Sequence, residues 1–175
     1  MFNFPGRLLR QTFLTFVLFI LSPLGQAQDS LVDLILSGNR AQALAALTAT
    51  NLDVAAYVNA TASDGSTALH YASYLVDHEL VQALLDAGAT ADITNDYGSS
   101  PLIEAVKLND LELASMLLAA GADPDSPNQD NQTALMIASY NGSVELAQML
   151  IDKGAAVNAV ENFRKQTALM WAAAE

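Results

Sequence analysis

The sequence contains no cysteine, so no disulfide can staple the fold, no thiolate is available to zinc, and no lipid can be attached through sulfur. Tryptophan occurs once, and aromatic residues make up only 7% of the 175 residues. Bases are scarce as well: 7 Lys and Arg stand against 19 Asp and Glu, giving a net charge of −12. A surface that negative repels phosphate backbones and anionic membranes, which argues against nucleic acid as a partner. It permits a basic protein partner, although acidic surfaces also serve solubility alone. No Gly-x-Ser-x-Gly elbow, phosphate-cradling glycine loop or dinucleotide fingerprint occurs, so nothing points to an enzyme or to a cofactor.

What is present is apolar and helix-favouring. Apolar residues reach 52%, too many for a disordered chain and enough to bury a core. Ala and Leu supply most of them, and both are strong helix formers. The expected class is all-α.

The segment 1–27 reads separately. It holds no acid and two arginines, Arg7 and Arg10, followed by the apolar run 13–21, then Pro23 and the small-residue stretch Gly25-Gln26-Ala27. Positive start, short apolar centre and small residues before a cut make up a secretory signal. The stretch between Arg10 and Pro23 falls short of the roughly 20 helical residues that cross a hydrocarbon core. Cleavage after Ala27 is the expectation; the alternative is an uncleaved anchor. Cleavage would leave 5 bases against 19 acids, a net charge of −14, in a product that is exported (periplasmic or extracellular) and off the membrane.

Beyond the leader the chain repeats itself. The segments Thr67-Ala-Leu-His-Tyr-Ala72, Ser100-Pro-Leu-Ile-Glu-Ala105, Thr133-Ala-Leu-Met-Ile-Ala138 and Thr167-Ala-Leu-Met-Trp-Ala172 line up. Their starts at Thr67, Ser100, Thr133 and Thr167 are evenly spaced but for one added residue in the last step. Each of the first three is followed, at a constant offset, by Gly-Ala: Gly88-Ala89, Gly121-Ala122 and Gly154-Ala155. Leu84-Leu85, Leu117-Leu118 and Leu150-Ile151 recur in register, as do Glu79, Glu112 and Glu145. Asn95, Asn128 and Asn162 stand at one offset ahead of the later starts.

Position by position, the chemistry is that of paired helices. Thr67, Ser100, Thr133 and Thr167 are hydroxyl residues placed to cap a first helix, and Pro101 sits where a missing N–H costs nothing. Asn109 and Gly142 suit the left-handed turn that ends it. Asp77, Asp110 and Ser143 are placed to cap a second helix, and Gly88, Gly121 and Gly154 to end it. Val76 stands at the turn site of Asn109 and Gly142, which implies a remodelled turn there. Asn131 and Lys165 replace Gly65 and Gly98, and the longer last step places one extra residue near 159–161.

This pattern resembles the ankyrin repeat, whose period is 33 and whose signature reads Thr-Pro-Leu-His-x-Ala. The resemblance covers roughly positions 29–175 and implies an ankyrin-repeat solenoid of stacked helix-turn-helix pairs with β-hairpin-like loops. The implied organisation is a signal peptide at 1–27, a divergent N-terminal capping repeat at 28–63 with an insertion around Thr50–Tyr57, and repeats at 64–96, 97–129 and 130–162. An incomplete repeat follows at 163–175. There Leu169, Met170 and Ala172 would lack the second helix that covers their equivalents, so the expectation is a fragment of a longer reading frame.

Few side chains suggest chemistry. The resemblance gives His70 a structural bond back to Thr67, and His78, between Asp77 and Glu79, reads as a solvated helix start rather than a metal ligand. The stretch 123–130 looks superficially like a calcium loop but has Pro127 at the fifth position and Ala134 at the twelfth, so no metal site is expected. Asn59-Ala-Thr61 and Asn131-Gln-Thr133 match the short glycosylation triplet.

The resemblance implies a non-catalytic scaffold that meets a protein partner on a concave face built from loop tips and first helices. In register, the tips are Ser63, Asp64 and Ser66; Asp96, Tyr97 and Ser99; Gln129, Asp130 and Gln132; and Phe163, Arg164 and Gln166. Tyr74, Lys107 and Tyr140, at one offset after each capping hydroxyl, would form one exposed row, and tyrosine and arginine are common interface anchors. The alternative is that Tyr74 and Tyr140 pack over neighbouring turns. Trp171 is expected in the core, and the protein is expected to be a monomer. A second functional reading makes the repeats the targeting arm of a longer enzyme whose catalytic domain lies beyond Glu175.

Overall fold

The computed structural model describes residues 30–48 and 54–174. The proposed leader at 1–27 and part of the insertion at Thr50–Tyr57 lie outside them. Among the described residues, helices alternate with short turns and loops. These are α1 (Leu31–Leu36), α2 (Arg40–Leu47), α3 (Val54–Val58), α4 (Ala68–Tyr74), α5 (His78–Asp86), α6 (Pro101–Lys107), α7 (Leu111–Ala119), α8 (Ala134–Tyr140), α9 (Val144–Asp152) and α10 (Ala168–Ala172). The all-α reading holds; a single antiparallel bridge, Thr61 with Thr67, is the one strand-like pairing among the described residues.

Two rows of helices make the stack. The first helices pack in the order α1, α4, α6, α8, α10, and the second helices in the order α2, α5, α7, α9, each second helix also touching its own pair partner. Contacts therefore run between nearest neighbours, the arrangement in which no repeat can bury its apolar side alone. Leu69, Leu84, Leu102, Leu117 and Leu150 are almost fully buried between the rows, each contributing about 1.5–3 kcal/mol. Ala72, Ala105 and Ala138, at 0% exposure, keep the helices close.

Local chemistry sets the helix ends. The Ser100, Thr133 and Thr167 hydroxyls accept from the N–H of Ile103, Met136 and Met170 at 3.3, 3.5 and 3.4 Å. Asp77 and Asp110 accept from Leu80 and Leu113 at 3.0 and 2.8 Å. Ser143 does not cap in this way: its hydroxyl donates to the Asn109 side chain one repeat back, so it joins repeats instead.

The turn at Val76 is not remodelled. Val76 takes φ +55°, matching Asn109 at +56° and Gly142 at +66°. Val76 N–H donates to Ser73 O at 3.1 Å and Asp77 N–H to Ala72 O at 3.1 Å, the same pair of bonds made at 109–110 and 142–143. A β-branched side chain is held there by the rest of the turn, at a cost of about 1–3 kcal/mol.

At the N-terminus, Ser30 and Asp33 form a reciprocal cap on α1, and α1–α2 is the expected helix-turn-helix. The insertion contributes α3, whose Val58 is fully buried, an element absent from the sequence expectation. At the other end Leu169 and Met170 are 78% and 53% exposed.

Candidate functional site

The loops ahead of each first helix fold on side-chain acceptors. Asn95 Oδ1 accepts from Tyr97 and Ser99 N–H at 3.1 and 2.9 Å, and Asn128 Oδ1 accepts from Asp130 and Gln132 at 3.0 and 2.9 Å. In the last loop this role falls to Glu161, not to Asn162. Its carboxylate accepts from Phe163, Arg164 and Gln166 at 2.5, 2.8 and 2.9 Å. The loop-closing bonds join Asn95 to Ser99 and Asn128 to Gln132, but Glu161 to Gln166, one position further. The extra residue of the last step therefore lies in the tip, after Glu161, and not near 159–161 as counted from the sequence. The N–H groups of Gln166, Arg164 and Phe163 hold the Glu161 carboxyl below its ordinary pKa.

A second ladder joins successive loops. Asn59 Oδ1 accepts from Thr90 N–H at 2.8 Å, Asp92 from Asp123 at 3.3 Å, and Asp125 from Ala156 at 2.7 Å. Asn59, Asp92 and Asp125 hold the same register position in successive repeats, a signal available in the sequence. Within 123–130, the Asp125 carboxylate is turned onto the Ala156 N–H and the Asp123 carboxylate onto the Asp125 N–H. Both triplet asparagines are also engaged, Asn59 Nδ2 with Gly88 O at 3.0 Å and Asn131 Nδ2 with Val160 O at 2.6 Å. Among the described residues no group of three or more His, Asp or Glu could hold a metal ion.

His70 sits at 4% exposure and bonds as a neutral ring. Thr67 N–H donates to Nδ1 at 3.1 Å, so the proton is on Nε2, which donates to Ser99 O at 3.0 Å. Burial pushes its pKa below the ordinary histidine value. His78 Nε2 lies 2.9 Å from Asp110, and Arg40 reaches Asp77 at 2.5 Å and Glu79 at 2.6 Å. These pairs tie the second helices together, with the Arg40 bond lowering the Asp77 pKa.

Three of the residues expected at the surface row are in the open: Tyr74, Tyr97 and Tyr140 are 64%, 68% and 53% exposed. Lys107 is exposed and bonds Glu104 Oε1 at 3.2 Å, and the same oxygen accepts from Ser99 Oγ at 2.5 Å. Loop, fourth helical position and seventh helical position of this repeat are thereby linked through Glu104. The sequence reading missed Glu104. Tyr140 meets Trp171 edge to face at 5.8 Å and 75°, so for this tyrosine the packing alternative is partly realised. Trp171 is half-buried beside the core rather than within it, and its Nε1–H is buried without an acceptor.

The tips divide in two. Ser66 and Ser99 are buried and belong to the loop ladder, and Gln132 accepts from Asn128 Nδ2. Asp96, Asp130, Phe163 and Arg164 are exposed, while Asp64 is half-buried. The tips also touch: Asp96 N–H donates to Asp64 O at 2.8 Å, and Asn162 N–H to Asp130 O at 2.9 Å. Asp64 is held below its ordinary pKa, chiefly by Ser66 N–H. A shallow groove along Val144, Gln148 and Asp152 of α9 is lined by exposed and half-buried side chains of that helix and its end.

The family model described as ankyrin repeats (3 copies) matches residues 25–128 and 102–175. A comparison with curated proteins finds no match.

Proposed function

Because the chain belongs to the ankyrin-repeat family, whose repeats generally mediate protein–protein interaction, we propose that it is a non-catalytic scaffold that captures a protein partner outside the cytoplasm. The observation that supports the reading is the exposure of Tyr74, Tyr97, Lys107 and Tyr140, which the reading groups with the tips of Asp64, Asp96, Asp130 and Arg164 as one surface. Large aromatic side chains left in water on a rigid surface are the usual anchors of an interface. The stack fixes their spacing before binding, so little ordering cost falls on the scaffold.

The location rests on Arg7, Arg10, the apolar run 13–21 and the small residues before Gln28. Among the described residues no helix is long and apolar enough to cross a membrane. Intact mass of the chain recovered from an extracytoplasmic fraction tests it: loss of the segment 1–27 is expected, and a full-length chain found only in the cytoplasm contradicts it.

Tyr74→Ala combined with Tyr140→Ala should abolish partner capture from that fraction while leaving helical circular dichroism unchanged. Capture that survives both changes in a folded protein overturns the assignment of the surface.

A further inference from the structure

The chain has 2 histidines, His70 and His78, and both bridge the same junction between repeats. His70 stands near the start of α4, at its loop end, and His78 opens α5 beyond the turn at the opposite end of that helix. Each reaches forward to the next repeat. His70 Nε2–H donates to Ser99 O at 3.0 Å, ahead of α6, and His78 Nε2 lies 2.9 Å from Asp110 Oδ2 at the start of α7. The neighbouring junctions are fastened differently. Arg40 holds Asp77 and Glu79 across the preceding one with a permanent charge. Across the following one, Asn141 Nδ2 donates to Val106 O at 3.2 Å and the Ser143 hydroxyl donates to the Asn109 side chain, bonds between neutral groups. The register position of Arg40 and His78 holds Leu111 and Val144 in the later repeats.

The two rings make opposite demands on a proton. His70 must be neutral, because Nδ1 accepts the Thr67 N–H at 3.1 Å while Nε2–H serves Ser99. Burial favours the same neutral form and outweighs the nearby carboxylates of Glu104 on α6 and Asp64 in the loop. The other charged groups on the helices packed against α4 are engaged elsewhere: Asp33 with Ser30, Asp77 and Glu79 with Arg40, Asp86 with Gln82, and Lys107 with Glu104. His78 satisfies Asp110 alone when neutral, since its bare Nδ1 then faces the Glu112 carboxylate at 3.6 Å. Protonated, it donates to both. Around it, Asp77 and Glu79 of its own segment are joined to Arg40 of α2, and α4 carries no Asp, Glu, Lys or Arg.

We propose that the junction between the α4–α5 and α6–α7 repeats is a proton-operated hinge: acidification releases the loop edge from His70 and draws the turn edge together through His78. Two further bonds cross the loop edge without a titrating donor, Asp96 N–H to Asp64 O at 2.8 Å and Asn95 Nδ2 to Ser66 Oγ at 3.1 Å. The junction therefore pivots rather than parts. Histidine is the side chain that ordinarily changes charge between about pH 5 and 8, and cysteine is absent, so the side-chain charges that change in that window lie at this one junction. The His78 pairs are partly exposed, so they steer the junction without dominating stability. Tyr74 lies on one side of it and Lys107 and Tyr140 on the other, so a pivot alters the spacing between them. The hinge itself does not depend on the proposed function.

The absence of cysteine allows paired nitroxide labels to be placed without background. Leu75 and Leu108, the exposed C-caps of α4 and α6 at the turn edge, are replaced together by Cys and labelled. Adjacent packed helices stand about 8–10 Å apart, so dipolar broadening reads their separation. It is measured at pH 7.5 and 5.0, with helical circular dichroism checking the fold at both. The labels should approach on acidification. His78→Leu, which copies Leu111, should abolish the approach, and His70→Gln, which keeps the acceptor for Thr67 but cannot titrate, should reduce it. Equal separations at the two pH values in the folded chain overturn the hinge, and so does an approach that persists in His78→Leu. An approach of unchanged size in His70→Gln overturns it as well, because a single latch makes no hinge.

Discussion

Val76 carries a β-branched side chain at φ +55°, a conformation that its equivalents meet with Asn109 and Gly142. The two backbone bonds of the turn are intact, so the strain is absorbed rather than relieved. Val76→Asn should stabilise the protein by about 1 kcal/mol, read as a raised urea midpoint with an unchanged slope. No change, or a loss, would mean that Val76 contacts outweigh the strain. This residue also shows where the sequence was legible. Glycine and asparagine advertise left-handed turns, so Gly142, Asn109 and Asn131 were readable. Valine advertises the opposite, and only the bonds formed by Ser73 and Ala72 on one side and Asp77 on the other reveal that the turn overrides it. Lys165, at φ +58°, is the same lesson in the last loop.

Helices and loops are held by residues whose spacing is regular but whose partners are one repeat away. His70 belongs to α4, yet its Nε2–H bonds the carbonyl of Ser99 in the next loop. Protonating it would put a proton on Nδ1 against the Thr67 N–H. Its folded pKa lies below its unfolded value of about 6.5, so below that pH the unfolded chain takes up the proton first. The contribution of neutral His70 is complete above pH 6.5 and is lost as pH falls beneath it. Urea midpoints at pH 7.5, 6.5 and 5.5 should therefore drop on acidification. The drop should be smaller in His70→Gln, which keeps an acceptor at the third helical position; equal drops in both proteins would contradict the assignment. The depressed carboxyls of Asp64, Asp77 and Glu161 act in a separate window, losing their contribution only as pH falls below about 4. The sequence placed the cap of α4 correctly but misjudged the last loop. Counting back from Thr167 selects Asn162, whereas the N–H groups of Phe163, Arg164 and Gln166 select Glu161, because the added residue lies between the two landmarks. The helix α3 was likewise hidden, since a one-turn segment such as Val54–Val58 is too short to show a period.

Across the whole molecule the two rows of helices were the most legible feature, because each repeat restates the same apolar positions and errors in one are corrected by the next. The proposed interaction surface was legible in part. Tyr74, Tyr97 and Tyr140 could be picked out by register alone, whereas Glu104, which touches both Ser99 and Lys107, could not. Ser66 and Ser99 looked like surface tips and are buried, since a loop that stacks on its neighbour turns alternate residues inward.

The claim on which the account turns is that partners meet the row and the tips rather than the second-helix side. Amide hydrogen exchange of the chain, free and bound to its captured partner, measures this most directly. The account predicts added protection at 63–66, 71–75, 96–99, 104–108, 129–132 and 163–166, with α5, α7 and α9 unchanged. Protection confined to α5, α7 and α9 would contradict it.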